Sequence, residues 1–296
     1  MNIHEALKVL TPDDIRVLQA IEKYLKQYEF VPIEVLERTT RLPPHRLERS
    51  LYKLNSLKLI RRQSAATLGY RLTILAYDVL AVLSLMKRGV IEALGDKLGV
   101  GKESDVYLGI APGGKKLAVK FHRVGRTSFR HVVRHRTYKV EDSWLLQSKV
   151  SAQREFAALR ELYEVGAKVP KPIDRSRHVV VTELIEGAVE LSEKPALNDP
   201  LKAFGDVIET IAKAYNDVGI VHGDLSEYNI IVIPETSEAY VIDWPQYVEK
   251  DHPSAEKLLR RDVEYVVRFF KKVYGVPAET EEVLRAIKGE VSDSGS

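Results

Sequence analysis

The sequence contains no cysteine among its 296 residues, and methionine and tryptophan occur only twice each. Without cysteine the chain can form no disulfide, no thiolate nucleophile and no thiolate metal site. The most apolar stretch, residues 74–86, is too short to cross a bilayer and includes Asp78. The first residues lack the cationic end and apolar core of a signal peptide. We therefore expect a cytoplasmic protein.

The charge balance is nearly even, with 45 Lys and Arg against 42 Asp and Glu, for a net charge of +3. Overall charge therefore indicates little about partners, and local clusters carry more information. Apolar residues make up 45% of the chain, which is typical of folded domains, and the length allows two or three of them.

Residues 1–90 predict a compact, mainly helical domain. The pattern favours a helix over 11–27 that begins with Thr11 as N-cap and Pro12 in its first turn. The remaining predicted elements are helices at 31–40 and 43–60, strand-like pieces at 59–63 and 69–73, and an apolar helix from Thr73. Three helices, a hairpin and a closing helix are typical of a winged helix-turn-helix domain.

A group of cations falls on the third helix and the hairpin of this predicted domain. We favour nucleic-acid contact through them, because such domains usually touch a phosphate backbone there. The alternative is a protein-interaction module in which the same cations are ordinary solvated surface. The cations are Arg46, Arg49, Lys53, Arg61 and Arg62.

The stretch GVGKESDVY, residues 99–107, is a candidate phosphate-binding turn. A Walker loop is excluded, because Asp96 stands where its first glycine is required and Glu103 follows the lysine. A glycine-rich hairpin followed by a strand that ends in a lysine fits instead, with Lys120 in LAVKFH as that lysine. Within a helix predicted at about 148–165, Glu155 is the expected carboxylate partner of Lys120, and Glu161 is its competitor.

The stretch VHGDLSEYNI, residues 221–230, contains the spacing of a kinase catalytic loop. Asp224 precedes Asn229 by five residues, and Asp243 is the last residue of the apolar strand YVID. In this pattern the first aspartate orients a hydroxyl, while Asn229 and Asp243 supply oxygen ligands that suit magnesium. If these were only turn residues, all of the spacings would have to arise by chance.

These motifs resemble those of the RIO atypical protein kinases, and in particular the second subfamily, which carries an N-terminal winged helix. GVGKESDVY, LAVKFHR, HGDLSEYN and IDWPQ all resemble the family's signatures, and the domain order matches over essentially the whole chain. His-Gly-Asp replaces the usual His-Arg-Asp, and Asp-Trp-Pro replaces Asp-Phe-Gly. Phenylalanine is more frequent in the family at the position of Trp244, a departure that leaves the metal ligand unchanged.

The resemblance implies an α+β protein in which the winged helix precedes a minimal bilobal kinase fold without an activation segment or a peptide-docking subdomain. The expected domains are the winged helix at 1–90, the N-lobe at 91–182 and the C-lobe at 183–296. The N-lobe is expected to include a basic, flexible loop at 121–143. Only 53 residues follow Asp243, which agrees with the missing segments.

The resemblance also implies roles for individual residues. ATP with Mg²⁺, or alternatively Mn²⁺, is the expected cofactor, and adenine is expected at a hinge over 183–185. Asp224 and Asn229 are the implied catalytic residues, and Asn229 and Asp243 the implied metal ligands. The residues expected around the nucleotide are Val100, Gly101, Lys102, Glu103, Ser104, Val106, Lys120, Glu155, Glu183 and Ile185.

The family acts in late maturation of the small ribosomal subunit, so the implied partner is its precursor particle with the rRNA, and we favour a monomer. Residues 121–139 carry six Lys or Arg, three His and no acid, as expected of a lid or an RNA-binding strip. Autophosphorylation, where it occurs, is expected at Thr127, Ser128 or Thr137.

Two alternatives to a kinase or ATPase remain. One is an idle scaffold that binds nucleic acid and senses ATP, against which the intact Lys120, Asp224, Asn229 and Asp243 argue. The other is a small-molecule phosphotransferase, which would call for a helical substrate pocket rather than a basic loop and a winged helix.

Overall fold

The computed structural model describes residues 2–64, 68–125 and 137–289. The chain divides into two compact units, and one helix and two strands contribute to both. The first unit is Met1–Ala152 with Asp174–Val181, and the second is Gln153–Ile173 with Thr182–Ser296.

The N-terminal part of the first unit is a winged helix-turn-helix, as predicted. Its three strands form one sheet in the order β1-β3-β2, with every pairing antiparallel. The short first helix was not predicted from the sequence. The elements are α1 (Ile3–Val9), α2 (Pro12–Lys23), β1 (Val31–Pro32), α3 (Ile33–Thr40), α4 (Pro44–Ser56), β2 (Ile60–Ser64), β3 (Leu68–Leu72) and α5 (Ile74–Lys87).

The start of α2 shows why local sequence specifies this domain. Thr11 Oγ1 accepts a hydrogen bond from Asp14 N at 3.4 Å, and Asp14 Oδ2 accepts one from Thr11 N at 2.9 Å. This reciprocal capping box satisfies two amides that a helix start leaves without partners. Leu47, Leu51 and Leu54 then bury one face of α4, as their helical spacing predicts.

The three cations of α4 differ in their partners. Arg46 forms an ion pair with Asp13 at 2.6 Å. Lys53 Nζ donates to both Asp14 Oδ2 and Val9 O at 2.6 Å. Two of the three α4 cations therefore have acidic partners in the first turn of α2, although the Arg46 side chain is still 53% exposed, and Arg49 is also exposed.

A five-stranded sheet follows the winged helix. The order of its strands is β4-β5-β6-β8-β7, and β4, β5 and β6 are antiparallel neighbours, as predicted. Gly113 and Gly114 make the β5–β6 turn with φ of +85° and +84°, a region that favours glycine. The strands are β4 (Ala93–Val100), β5 (Ser104–Ile110), β6 (Lys116–His122), β7 (Pro172–Ser176) and β8 (Val179–Glu183).

The long helix α6, Thr137–Glu164, begins eleven residues before the predicted position 148. The expected loop is therefore shorter than 121–143, because β6 includes its first two residues and α6 its last seven. Thr127 and Ser128, two of the three predicted phosphorylation sites, lie outside the described residues.

The second unit holds two small antiparallel sheets among helices. One sheet has the order β12-β11-β9, and the other pairs β10 with β13. Helix α7 passes directly into a π-helical turn, Ala214–Val218, so the helical segment continues beyond Lys213. The elements are β9 (Val189–Glu190), α7 (Pro200–Lys213), β10 (Ile220–Val221), β11 (Ile230–Ile233), β12 (Glu238–Val241), β13 (Val248–Glu249), α8 (Ala255–Tyr274) and α9 (Thr280–Lys288).

After Asp243 the chain passes directly to β13, α8 and α9. Residues 137–289 therefore contain no activation segment and no peptide-docking subdomain, which confirms the minimal kinase fold. Across the described ranges, every helix is too short or too polar to cross a bilayer.

Candidate active site

The predicted phosphate-binding turn lies between β4 and β5. Gly101 N donates to Ser104 O at 2.8 Å and closes the turn. Gly101, Lys102 and Glu103 are exposed, and a Cβ atom placed on Gly101 would lie 3.0 Å from Ser104 Oγ. The tight turn therefore presents backbone to solvent, where phosphate oxygens can approach it.

Strand register brings the predicted lysine into the neighbourhood of this turn. Lys120 of β6 pairs with Val106 of β5, two residues beyond Ser104, and Val100 of β4 pairs with Asp105. Lys120 is half-buried within the sheet. The turn and Lys120 thus belong to one continuous sheet, as a phosphate site of the kinase type requires.

Arg123, which was not singled out in the sequence, anchors the turn. Its backbone N–H donates to Glu103 O at 2.6 Å, and Gly125 N donates to Glu103 Oε1 at 3.4 Å. The chain that leaves β6 thus holds the middle of the phosphate turn.

The predicted partner of Lys120 lies on α6. Glu155 is 2% exposed, whereas its competitor Glu161 is exposed, so burial favours Glu155. Lys120 belongs to the first unit and Glu155 to the second, and their pairing stays a prediction. At the expected hinge, Glu183 N donates to Lys171 O at 2.9 Å, so adenine would have to meet other backbone groups of residues 183–185, including Ile185.

The two predicted metal ligands are neighbours at one end of a hairpin. Asn229 directly precedes β11, and Asp243 lies two residues after β12. Ile230 pairs with Val241, and Ile242 N donates to Asn229 O at 2.9 Å. The strand register therefore places both predicted ligands at the same end of the β11–β12 hairpin. Their positions in the sequence, before one apolar strand and at the end of the next, predicted this arrangement.

The Asn229 side chain also ties the catalytic loop together. Its Nδ2 donates to Asp224 O at 2.7 Å, which directs the carbonyl oxygen Oδ1 to the other side of the amide. Asp224 itself is exposed, as a group that meets an acceptor must be.

The donor set fits magnesium. An amide oxygen from Asn229 and the half-buried carboxylate of Asp243 are the hard ligands that this ion prefers. No group of three or more His, Cys, Asp or Glu side chains within 2–64, 68–125 and 137–289 could form a protein cage for a metal. Magnesium needs no such cage, because it retains waters and binds nucleotide phosphates.

The buried His222 connects the catalytic loop to the metal-binding strand. Its Nδ1 accepts from Asp224 N at 3.3 Å, and its Nε2 lies 3.1 Å from Ile242 O. The ring also contacts buried Trp244, with centroids 4.6 Å apart, and Trp244 Nε1 donates to Val241 O. His222 is therefore a structural member of the motif that joins the segments bearing Asp224 and Asp243.

Asp262 of α8, which was not predicted from the sequence, binds backbone amides of the catalytic loop. Its carboxylate accepts from Gly223 N at 2.8 Å and Leu225 N at 3.2 Å. Burial raises the pKa of Asp262, while His222 and these backbone bonds act in the opposite direction. A signal was present in the sequence, because Asp262 falls on the apolar stripe that includes Leu259.

Arg154 of α6, also missed, fastens the segment that follows Asp243. Its Nε donates to Pro245 O at 3.1 Å, and its guanidinium also donates to Tyr247 O. The guanidinium carbon lies 4.1 Å from the centroid of the Tyr247 ring. These contacts fix the backbone where an ordinary kinase would begin its activation segment.

Comparison with known proteins identifies both domains of the chain. Residues 105–283 match the family model described as RIO domain, and residues 7–88 match the one described as Rio2, N-terminal. The chain is 38% identical over 266 residues to a RIO-type serine/threonine-protein kinase Rio2 of Methanocaldococcus jannaschii, covering 88% of this chain and 96% of that one.

Two further relatives extend the similarity to eukaryotes. A serine/threonine-protein kinase rio2 of Dictyostelium discoideum is 36% identical over 278 residues, which cover 93% of this chain but 53% of that protein. A crystal structure of the Chaetomium thermophilum Rio2 kinase–ADP/Mg²⁺–phosphoaspartate complex superposes with a TM-score of 0.83 and 34% identity, covering 98% of this chain and 89% of that one.

The motifs of the kinase domain agree with the fold and with these relatives, and the two family models together cover both the winged helix and the kinase domain. The chain belongs to the RIO family of serine/threonine-protein kinases, in its Rio2 branch.

Proposed function

We propose that the protein is a magnesium- and ATP-dependent kinase or ATPase that acts in late maturation of the small ribosomal subunit. The observation that supports the enzymatic part is the β11–β12 hairpin, which holds Asn229 and Asp243 at the same end. The Asn229 side chain also donates a hydrogen bond to Asp224 O. The Chaetomium thermophilum Rio2 structure with ADP and Mg²⁺ supports the choice of nucleotide and metal.

Each residue has a role in this proposal. Asp224 orients the hydroxyl or water that attacks the γ-phosphoryl group, and it accepts the proton that the attacking group loses. Asn229 Oδ1 and the Asp243 carboxylate hold magnesium, which neutralises charge on the phosphate oxygens when it is bound. The turn at Gly101–Ser104 and Lys120 hold the phosphates, and buried Glu155 orients the Lys120 ammonium.

ATP turnover measured with and without purified small ribosomal subunits tests this function. We expect magnesium-dependent turnover that changes when the subunits are added. Turnover without any response to subunits would favour a kinase with another partner, and ATP binding without turnover would favour the ATP-sensing scaffold.

Docking on the precursor particle and its rRNA rests on the family resemblance and on exposed cations of the winged helix. Arg49 on α4 and Arg62 on β2 are both exposed, whereas Arg46 and Lys53 are engaged by acids of α2. Phosphate contacts by exposed cations release counterions, so affinity should fall steeply with salt.

Co-sedimentation with small subunits over a salt series tests the docking surface. The double variant Arg49→Ala/Arg62→Ala should flatten the salt slope by roughly two phosphate contacts. The matched variant Arg46→Ala/Lys53→Ala removes the same charge but should change the slope less, because those cations already have partners. Equal slopes for both variants and the unmodified protein would assign the winged helix to protein contact instead.

A further inference from the structure

A buried ionic cluster lies within the first unit, outside the catalytic motifs. The Arg123 guanidinium is bidentate on Asp78 of α5, with NH1–Oδ1 at 2.7 Å and NH2–Oδ2 at 2.8 Å. Its Nε donates to Asp105 Oδ2 of β5 at 3.0 Å. His178 Nε2 lies 2.7 Å from Asp78 Oδ1, and the partly exposed Lys97 Nζ lies 3.3 Å from Asp105 Oδ1.

The cluster is almost dry. The Asp78 and Asp105 side chains are 6% and 5% exposed, and that of Arg123 is 10% exposed. Burial alone would raise the pKa of Asp78, but Arg123 and His178 outweigh it, so this pKa lies below its usual value. Hydrogen bonds between buried charged groups fix geometry strongly, because breaking one leaves a buried charge without its partner.

Arg123 joins this cluster to the phosphate turn. Its backbone N–H donates to Glu103 O in the middle of the turn, and Asp105, its second carboxylate partner, directly follows Ser104. One residue therefore fastens both the turn and the strand that leaves the turn, while its guanidinium is held by a helix of the winged-helix domain.

We propose that Asp78 of the winged helix is a positioning residue for the nucleotide, which acts through Arg123 on the phosphate turn. The inference rests on the proposed function, because it assumes that Gly101–Ser104 receives ATP phosphates. It assigns the winged helix a part in nucleotide binding in addition to any docking on RNA. By linkage, a partner that shifts α5 changes ATP affinity, and ATP changes the affinity for that partner by the same factor.

The first experiment compares Asp78→Asn with Glu22→Gln. Glu22 of α2 forms the matched bidentate pair with Arg177, both contacts at 2.6 Å, and Arg177 otherwise donates to Leu80 O and Ser176 Oγ. We expect Asp78→Asn to raise the Mg-ATP dissociation constant and the KM for ATP ~10-fold, with kcat at saturation within about twofold. Glu22→Gln should leave all three values near those of the unmodified protein.

Two further measurements cover the case in which Asp78→Asn folds poorly. The triple variant Asp78→Leu/Asp105→Asn/Arg123→Met removes all three buried charges together, a replacement that proteins often tolerate. It should melt near the unmodified protein and still bind Mg-ATP ~10-fold more weakly. In the unmodified protein, Mg-ATP should slow hydrogen exchange in α5 (Ile74–Lys87) as well as in the turn, while α3 (Ile33–Thr40) exchanges as before.

The outcomes separate the inference from the proposed function. If the unmodified protein binds no Mg-ATP, the proposed function fails and the inference fails with it. If it binds, but the Asp78 variants bind equally well or protection stops at the turn, the inference alone is overturned. An equal loss in Glu22→Gln also overturns it, because the effect would then report general loosening of the domain.

Discussion

The catalytic loop and the phosphate turn are held in different ways. In the catalytic loop, side chains bond to backbone: Asp262 accepts from Gly223 and Leu225, and Asn229 donates to Asp224 O. The phosphate turn is closed by its own backbone bond from Gly101 to Ser104 O and is anchored by the backbone of Arg123.

The difference matches what each region has to do. Groups that act on a reacting atom gain most from being fixed before the substrate arrives. A phosphate turn offers backbone N–H groups to a ligand that must enter and leave, so the turn stays exposed while the chain behind it is held by Arg123. We therefore expect changes in the first region to affect turnover or metal binding, and changes in the second to affect affinity.

The largest expected effect comes from Asp224→Ala. Loss of the group that orients the attacking hydroxyl should lower kcat by ~10²–10⁴-fold, while ATP affinity is unchanged, because the role is realised in the transition state. Single-turnover kinetics with a parallel ATP titration would measure both quantities. A fully active variant would make the loop structural and remove the contrast between the two regions.

Asp243→Asn should weaken magnesium-dependent ATP binding by ~10–100-fold. Loss of a residue that only supports a metal ligand typically costs this much, and loss of a ligand should cost no less. Melting in the absence of metal should stay close to that of the unmodified protein, because the half-buried side chain is at the end of a strand rather than in a core. Calorimetric titration with and without Mg²⁺ is the measurement. Unchanged Mg-ATP affinity would show that Asp243 is not a ligand.

Arg154→Met keeps the aliphatic stem but removes the bonds to Pro245 O and Tyr247 O. We expect kcat to fall roughly tenfold, because the segment after Asp243 loses its anchor. This loss is smaller than the ~10²-fold loss that a 1 Å misplacement of a catalytic group can cause. Arg160→Met on the same helix is the control, since Arg160 is exposed and pairs only loosely with Glu164 at 3.8 Å. Equal turnover in the two variants would contradict the anchoring role.

Gly101→Ala should have the smallest effect and should act on affinity alone. The added Cβ would lie 3.0 Å from Ser104 Oγ, so the turn must adjust slightly. We expect the KM for ATP to rise roughly threefold, or about 0.7 kcal/mol, with kcat unchanged. Gly99→Ala, where a Cβ meets nothing within 4 Å, should bind ATP normally. A loss of kcat in Gly101→Ala would mean that the two regions are not separable.

The sequence predicted what depends on local pattern. The capping box at Thr11 fixed the start of α2, and alternating apolar residues with glycine turns predicted β4, β5 and β6. Asn229 and Asp243 could be placed together because each adjoins an apolar strand of the same hairpin.

What the sequence did not reveal depends on contacts distant along the chain. The ion pairs of Arg46 and Lys53 are made with acids 33 and 39 residues away, and no local pattern encodes such a pairing. Arg154 likewise bonds to carbonyls more than 90 residues away. The early start of α6 was missed because its first residues lack a regular apolar stripe, so periodicity gave no signal there.

The glycine of His-Gly-Asp has a consequence for how this enzyme can be controlled. Gly223 has φ of +79°, and a Cβ there would lie 3.2 Å from Gln246 O, so the arginine of an ordinary His-Arg-Asp motif would be strained and crowded. Kinases switched by phosphorylation use arginines to receive the phosphate on an activation loop. Here Gly223 stands in place of that arginine, and the chain runs from Asp243 straight into β13 without such a loop. The described residues therefore lack both parts of that switch, the phosphate-receiving arginine and the loop that would carry the phosphate.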